Sequence, residues 1–252
     1  MLAATLALYR RLVRQALRDP STYVNVVLSL FFLAVYTGAF GGAEGIERLT
    51  GASFLTFILP LSILNASIAG SAAGQVLVAD LESGYLRRLL SLPVARTALV
   101  LAPMLLGATL VLVQASLVLV VGLLVGAELE AGAGGGLVIL ALALLWGLAF
   151  GGYSVATGLL AGNAAGAQTA VFIFFPLIFL APTFLPRDEL QGWLGTVSAA
   201  NPTTYVLEAM RAMLIDGWDG GVLAAGFGVV AVLCAASLVW ATRVAGRITA
   251  RR

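Results

Sequence analysis

Six apolar runs follow one another along the chain, at about 22–40, 52–79, 98–126, 137–161, 168–185 and 222–242, separated by short polar or glycine-rich stretches. A helix rises about 1.5 Å per residue, so about 20 apolar residues cross the ~30 Å hydrocarbon layer of a bilayer. The pattern predicts six membrane-crossing helices, the second, third and fourth long enough to tilt or to project beyond the bilayer. No Asp, Glu or Arg falls within a run except close to its end. Carriers coupled to protons or ions usually keep an ionisable group at mid-membrane, so this absence counts against that class.

Three stretches fit neither a span nor a plain loop. In residues 2–18, Leu2, Leu6, Tyr9, Val13, Ala16 and Leu17 share one helical face, while Arg10, Arg11, Arg14 and Arg18 cluster on another. This predicts a helix lying in the membrane interface, ended by Asp19-Pro20-Ser21, in preference to a cleaved leader. In "LESGYLRRLLSLPVART", residues 81–97, Leu81, Tyr85, Leu86, Leu89 and Leu90 oppose Ser83, Arg87, Arg88 and Ser91. A glycine costs about 1 kcal/mol in a helix interior. The second span is therefore expected to end near Glu82, bend at Ser83-Gly84, and give way to a short helix over 84–92 that Pro93 stops. Periodicity alone leaves a solvated interfacial loop and a protein-docking helix equally open. The third stretch is 186–221, where Asn201-Pro202 is a helix start, asparagine capping and proline in the first turn. Tyr205, Val206, Ala209, Met210, Met213 and Leu214 form its apolar face, Glu208 and Arg211 lie opposite, and Gly217 ends it. So apolar a helix is expected to lie in the outer leaflet or to re-enter part-way.

Charge gives the chain a direction. With the N-terminus in the cytoplasm, eleven of the fourteen arginines fall on that side, and only Arg48, Arg187 and Arg211 lie outside. That positive-inside bias predicts both termini in the cytoplasm and places 81–97 there too. Composition then excludes most enzyme chemistry. The 252 residues are 61% hydrophobic, with a mean hydropathy of +1.03. All fourteen basic residues are arginine and there is no histidine. Hence there is no P-loop lysine, no Schiff-base lysine and no histidine base or metal ligand. The single cysteine, Cys234, forms no intrachain disulfide and reads as a small buried apolar residue. Glycines at 70/74, 122/126, 147/151 and 158/162 permit close helix approach, more simply within one subunit than across a dimer seam.

The "E-x-G-x-L-x-R-L-L-x-x-P-x-x-R" pattern on Glu82, Gly84, Leu86, Arg88, Leu89, Leu90, Pro93 and Arg96, and "N-P-x-x-Y-x-x-E-A-x-R" from Asn201, resemble the ABC-2 type (type-2 exporter) permeases of the ATP-binding cassette superfamily. Within that superfamily the likeness is to daunorubicin-resistance-like efflux permeases, and it covers essentially the whole chain. It implies an all-α integral membrane fold in a single permease domain, 1–252, in the bacterial plasma membrane. Residues 1–19 would be a connecting helix and 84–92 a coupling helix that docks on a separate ATPase through Glu82, Gly84, Tyr85, Arg87, Arg88, Pro93 and Arg96. Residues 186–218, with Asn201, Pro202, Tyr205, Glu208 and Arg211, would be re-entrant helices outside. Relatives often carry Thr where Tyr85 stands. Two permease chains, identical or not, would work with two ATPase subunits, which alone bind ATP and Mg; the chain itself would hold no cofactor or metal.

The resemblance also implies a substrate path along the first, second and fifth spans. The polar groups there are Asn25, Ser29, Asn65 and Gln168, and Phe31, Phe172 and Phe175 would suit an amphipathic drug or lipid. The competing function is a secondary carrier or channel without ATP, whose polar path would draw on Asn25, Ser29, Asn65, Ser67, Gln75, Gln114, Asn163 and Gln168. A membrane-embedded enzyme is weakest, since no two carboxylates share a span.

Overall fold

The computed structural model describes residues 2–40, 44–90, 96–163, 165–166 and 172–250. Among them there are helices and connections but no strands. In chain order the helices are α1 (Leu2–Ala16), α2 (Pro20–Phe40), α3 (Glu44–Thr50), α4 (Phe54–Asn65), α5 (Ser67–Gly70), α6 (Ala72–Glu82) and α7 (Tyr85–Leu90), then α8 (Arg96–Val125), α9 (Gly132–Ala161), α10 (Phe174–Phe179), α11 (Gly192–Ala200), α12 (Pro202–Ile215) and α13 (Gly220–Ala250). Five helical stretches among the described residues are long and apolar enough to cross a membrane: Thr22–Ala39, Phe54–Glu82, Thr97–Val125, Gly132–Ala161 and Gly220–Arg247. The run expected to span at 168–185 lies partly outside the described residues, and within them it holds the six-residue α10 followed by an irregular stretch over 180–186.

The second span is the axis of the bundle, with 94% of its most apolar window buried, against 11% for α2. It is interrupted twice. Pro60 removes a backbone donor inside α4. At each interruption a serine hydroxyl bonds back three residues, Ser67 Oγ to the Leu64 carbonyl at 2.5 Å and Ser71 Oγ to that of Ile68 at 2.7 Å. Such back-bonding competes with the helical ladder and bends it. Around this axis α9 packs on α6, α8 and α13, and α12 packs on α4, α9 and α13.

Close approach is made possible by glycine. A Cβ on Gly74 would stand 2.3 Å from the Ser154 carbonyl oxygen, and one on Gly147 would stand 3.0 Å from the Ala108 Cα. Both contacts are within one subunit, so these glycines act in the packing of the chain on itself.

The two largest apolar clusters among the described residues lie toward opposite ends of the bundle. The larger joins Phe57, Leu59, Leu64, Leu142, Trp146 and Phe174 to Val206, Met210 and Leu214 of α12. The smaller joins Leu77, Val100, Met104, Val155 and Leu159 to Ala241 and Val244, with Leu8, Leu81 and Leu89 against it. Leu8 lies in α1 and Val244 near the end of α13, so both ends of the described chain meet α7 at one arginine-rich end of the bundle.

The face that α1 buries overlaps the one expected, through Tyr9, Val13 and Ala16, and extends past it to Leu8 and Leu12. Thr5, Leu12 and Ala16 are buried, Leu12 and Ala16 against Ala102 and Leu106 of α8, and the Tyr9 hydroxyl meets Thr109 Oγ at 2.8 Å. Leu2, Leu6 and Leu17, from the apolar stripe read in the sequence, are exposed. The helix carries more apolar surface than one contact needs, and α8 takes Tyr9, Val13 and Ala16 of the expected stripe together with Leu8 and Leu12 beside it.

Candidate functional site

At the arginine-rich end α6 stops where Gly84 takes φ +73°, a left-handed conformation that residues with a Cβ rarely adopt. Ser83 N donates to the Ala79 carbonyl at 3.0 Å and Gly84 N to that of Leu81 at 3.2 Å, closing the helix end. The chain then restarts as α7 from Tyr85. Glu82 and Arg88 are exposed on this turn and Leu89 packs inward. Pro93 lies outside the described residues, and for Arg87 and Arg96 the backbone alone is described.

What holds this corner is a residue pair that periodicity did not reveal. Arg11 of α1 donates from both terminal nitrogens to Asp80, at 2.7 Å to Oδ2 and 2.6 Å to Oδ1. The same guanidinium lies over the Tyr85 ring, 3.8 Å from its centroid. The planar fork of arginine suits both contacts, bidentate to the carboxylate and stacked on the ring. Hydrogen bonding to Asp80 raises the Arg11 pKa above its ordinary value, against a smaller lowering by burial. α1, the end of the second span and the first residue of α7 are thereby linked through one side chain. An acid at the end of a buried helix requires a partner, which is the signal that singles out Asp80. Nothing in local sequence identifies Arg11 as that partner, 69 positions away.

The opposite end is built differently. Asn201 caps α12, its Oδ1 accepting from Thr203 N at 3.0 Å, and its Nδ2 donates to the Leu177 carbonyl in α10. Pro202 occupies the first turn, and the Tyr205 hydroxyl donates to the Ala199 carbonyl at 2.7 Å. Glu208 pairs with Arg187 at 3.4 Å. Burial pushes the Glu208 carboxyl above its ordinary value, with Arg187 and Arg211 pulling the other way.

Arg211, expected beside Glu208 on the polar face, is instead buried at 8% exposure. Its Nη1 donates to the Pro182 carbonyl at 3.0 Å, and its Nε and Nη2 point at the carbonyls of Phe57 and Thr183 at 3.4 and 3.5 Å. The guanidinium carbon stands 3.6 Å from the Phe57 ring centroid. The correction has a physical reason: α12 is packed on several sides and Arg211 falls on a buried one, where Phe57 of α4 and the irregular stretch after α10 supply the carbonyls that solvate the cation. Burial lowers its pKa to about 9, which leaves it charged at neutral pH.

The residues expected along a substrate path are spread over several surfaces. Asn25 lines a cavity with α1, α6 and α8. Ser29 is buried and donates to the Asn25 carbonyl of its own helix at 3.2 Å. Asn65, at the end of α4, is buried with its Nδ2 lacking a hydrogen-bond partner. Phe172 and Phe175 are exposed, and Gln168 lies outside the described residues. Cys234 is half-buried with its thiol 3.0 Å from the Leu145 carbonyl.

A bundle of long apolar helices with an amphipathic helix and a short charged helix at one end defines a multi-pass membrane protein. The sequence profile of the ABC-2 type transporter family matches residues 3–215, most of the chain, and the protein belongs to that family. It is the membrane permease subunit of an ABC transporter. Among its relatives, the daunorubicin resistance ABC transporter permease protein DrrB1 of Streptomyces coeruleorubidus is 29% identical over 84% of this chain and 77% of its own length. The probable doxorubicin resistance ABC transporter permease protein DrrC of Mycobacterium tuberculosis is 26% identical over 85% of this chain and 78% of its own. A putative transport permease, ycf38, of Cyanophora paradoxa is 27% identical over 81% and 71%.

Proposed function

We propose that the chain is the membrane half of an ATP-driven exporter in the bacterial plasma membrane, with both termini in the cytoplasm. It moves an amphipathic drug, lipid or similar hydrophobic molecule outward, as a dimer of permease chains joined to separate ATPase subunits. The observation that carries this reading is the linked corner of α1, α6 and α7. The short helix α7 and the turn before it, exposing Arg88 and Glu82 and tied to Arg11 through Tyr85 and through Asp80 at the end of α6, have the form of a lever that passes a partner's motion to the buried second span. The family to which the chain belongs supports the ATPase partner, and the absence of lysine from the sequence assigns any Walker-type phosphate site to that partner. The named drug-resistance permeases among its relatives support an amphipathic cargo.

The test is co-expression and co-purification with candidate ABC ATPase subunits from the same organism. Reversing both charges, Glu82→Arg with Arg88→Glu, is expected to abolish the complex and the stimulation of ATP hydrolysis by the permease. An intact complex with unchanged stimulation would remove the coupling role. ATP-independent, gradient-driven transport by the chain alone in liposomes would instead favour a secondary carrier.

A further inference from the structure

A cavity of about 520 Å³ opens between the end of α1, the start of α2, α6 and α8. That volume is in the range of small-molecule sites. Its walls are largely apolar, as with Val26, Leu106 and Leu110, but a strip of amides and hydroxyls runs through them: Asn25, Ser71, Gln75 and Gln114. Gln114 is 3% exposed and its Oε1 has no hydrogen-bond partner. A buried acceptor left unpaired costs about 1–3 kcal/mol, so it is an acceptor in need of a donor. At the mouth a second hollow, sharing Gln15 and Asp19, is lined by Arg11, Arg14 and Arg18. Arg11 is committed to Asp80, whereas Arg14 and Arg18 are exposed.

We infer that this cavity binds the headgroup of an anionic, hydroxyl-bearing lipid from the leaflet at the arginine-rich end. The charges of Arg14 and Arg18 match a phosphate at the mouth. A hydroxyl beyond the phosphate enters the polar strip and donates to Gln114 Oε1. An acyl tail alone would leave that oxygen unsatisfied, and a choline head, with no hydroxyl and with its own cation offsetting the phosphate, would also leave it unsatisfied and hold the arginines less strongly. Tails remain in the bilayer, past the exposed Tyr23 and Val113 that flank the opening. The site requires only that the chain sits in a membrane, and is independent of ATP coupling.

The experiment is native mass spectrometry of the purified chain, without ATPase or nucleotide, titrated with dioleoyl phosphatidylglycerol, phosphatidic acid and phosphatidylcholine. Phosphatidylglycerol is expected to bind most tightly, phosphatidic acid more weakly and phosphatidylcholine least. Arg14→Gln with Arg18→Gln weakens both anionic lipids at least about tenfold. Gln114→Leu, which removes the acceptor, lowers phosphatidylglycerol to the level of phosphatidic acid and leaves the latter unchanged. Arg10→Gln, on the same helix but outside the cavity, leaves all three unchanged. Equal binding of the three lipids, an equal loss in the Arg10 variant, or indifference of phosphatidylglycerol to Gln114→Leu would overturn the assignment.

Discussion

Two arginines stand at opposite ends of this bundle, each stacked on an aromatic ring, and they are held by opposite means. Arg11 faces Tyr85 at 3.8 Å and meets a carboxylate, with its own side chain 35% exposed. Arg211 faces Phe57 at 3.6 Å, is buried, and is solvated by backbone carbonyls of two segments. An ion pair at the edge of water re-forms at low cost when its elements shift, because solvent and other charges replace a lost partner. A buried cation on carbonyls has no such substitute, since each oxygen it leaves is desolvated. The first arrangement suits a joint that moves and the second suits a fixed clasp between α4, α12 and the stretch after α10. By this chemistry the arginine-rich end is the one suited to move and the other the one suited to stay fixed.

Removal of the clasp is the strongest way to break this contrast. Arg211→Ala is expected to cost about 3–5 kcal/mol, since it leaves three buried carbonyls with one partner fewer and opens a cavity under α12. Arg211→Lys restores the charge but not the planar fork, so it recovers only part of the loss. Tryptophan-fluorescence melting in detergent measures both. A lysine variant as stable as the parent would show that charge alone, and not the three-carbonyl geometry, holds the segment.

The joint is expected to give smaller and exchangeable effects. A double-mutant cycle on Arg11→Ala and Asp80→Ala should report a coupling of about 0.5–1.5 kcal/mol, discounted for the exposure of Arg11 and reduced in 1 M salt, where the Debye length falls to about 3 Å. The reversed pair, Arg11→Asp with Asp80→Arg, is expected to recover a large part of both stability and ATPase stimulation. No exchange of partners can do this for Arg211, whose acceptors are backbone. Recovery of stability without stimulation would confine Arg11 and Asp80 to a packing role.

The long apolar helices and the break at Gly84 were legible because each depends on local pattern: run length, periodicity, and a residue able to take positive φ. The start of α12 at Asn201-Pro202 is legible for the same reason. Contacts that depend on assembly were not. The stripe of α1 that packs on α8 keeps Tyr9, Val13 and Ala16 of the one the helical wheel favours but takes Leu8 and Leu12 in place of Leu2 and Leu6, a choice that only the neighbour decides. The 81–97 stretch could be read as a surface helix, yet its anchor, Arg11 on Asp80, joins segments 69 residues apart. Arg211 misled for a related reason: a charge three places from Glu208 suggests a wet face, whereas here the carbonyls of Phe57, Pro182 and Thr183 provide the solvation.

The smallest expected effect separates the two charges of α12 itself. Glu208 is partly buried and its carboxyl is raised above the ordinary value of 4.5, so burial outweighs the pull of Arg187 and Arg211. A folded-state pKa above the unfolded one means that the native state binds the proton more readily. Its contribution is therefore fully present below about pH 4.5 and is lost as pH rises through the folded pKa. Glu208→Gln removes that slope. Its melting temperature should match that of the parent near pH 4 and exceed it by a few degrees at pH 8, the gap opening above the ordinary carboxylate value. A variant that melts lower than the parent at pH 8 would show that the Arg187 pair outweighs burial. The far end would then also depend on an exchangeable ion pair, and its contrast with the Arg11 joint would narrow to Arg211 alone.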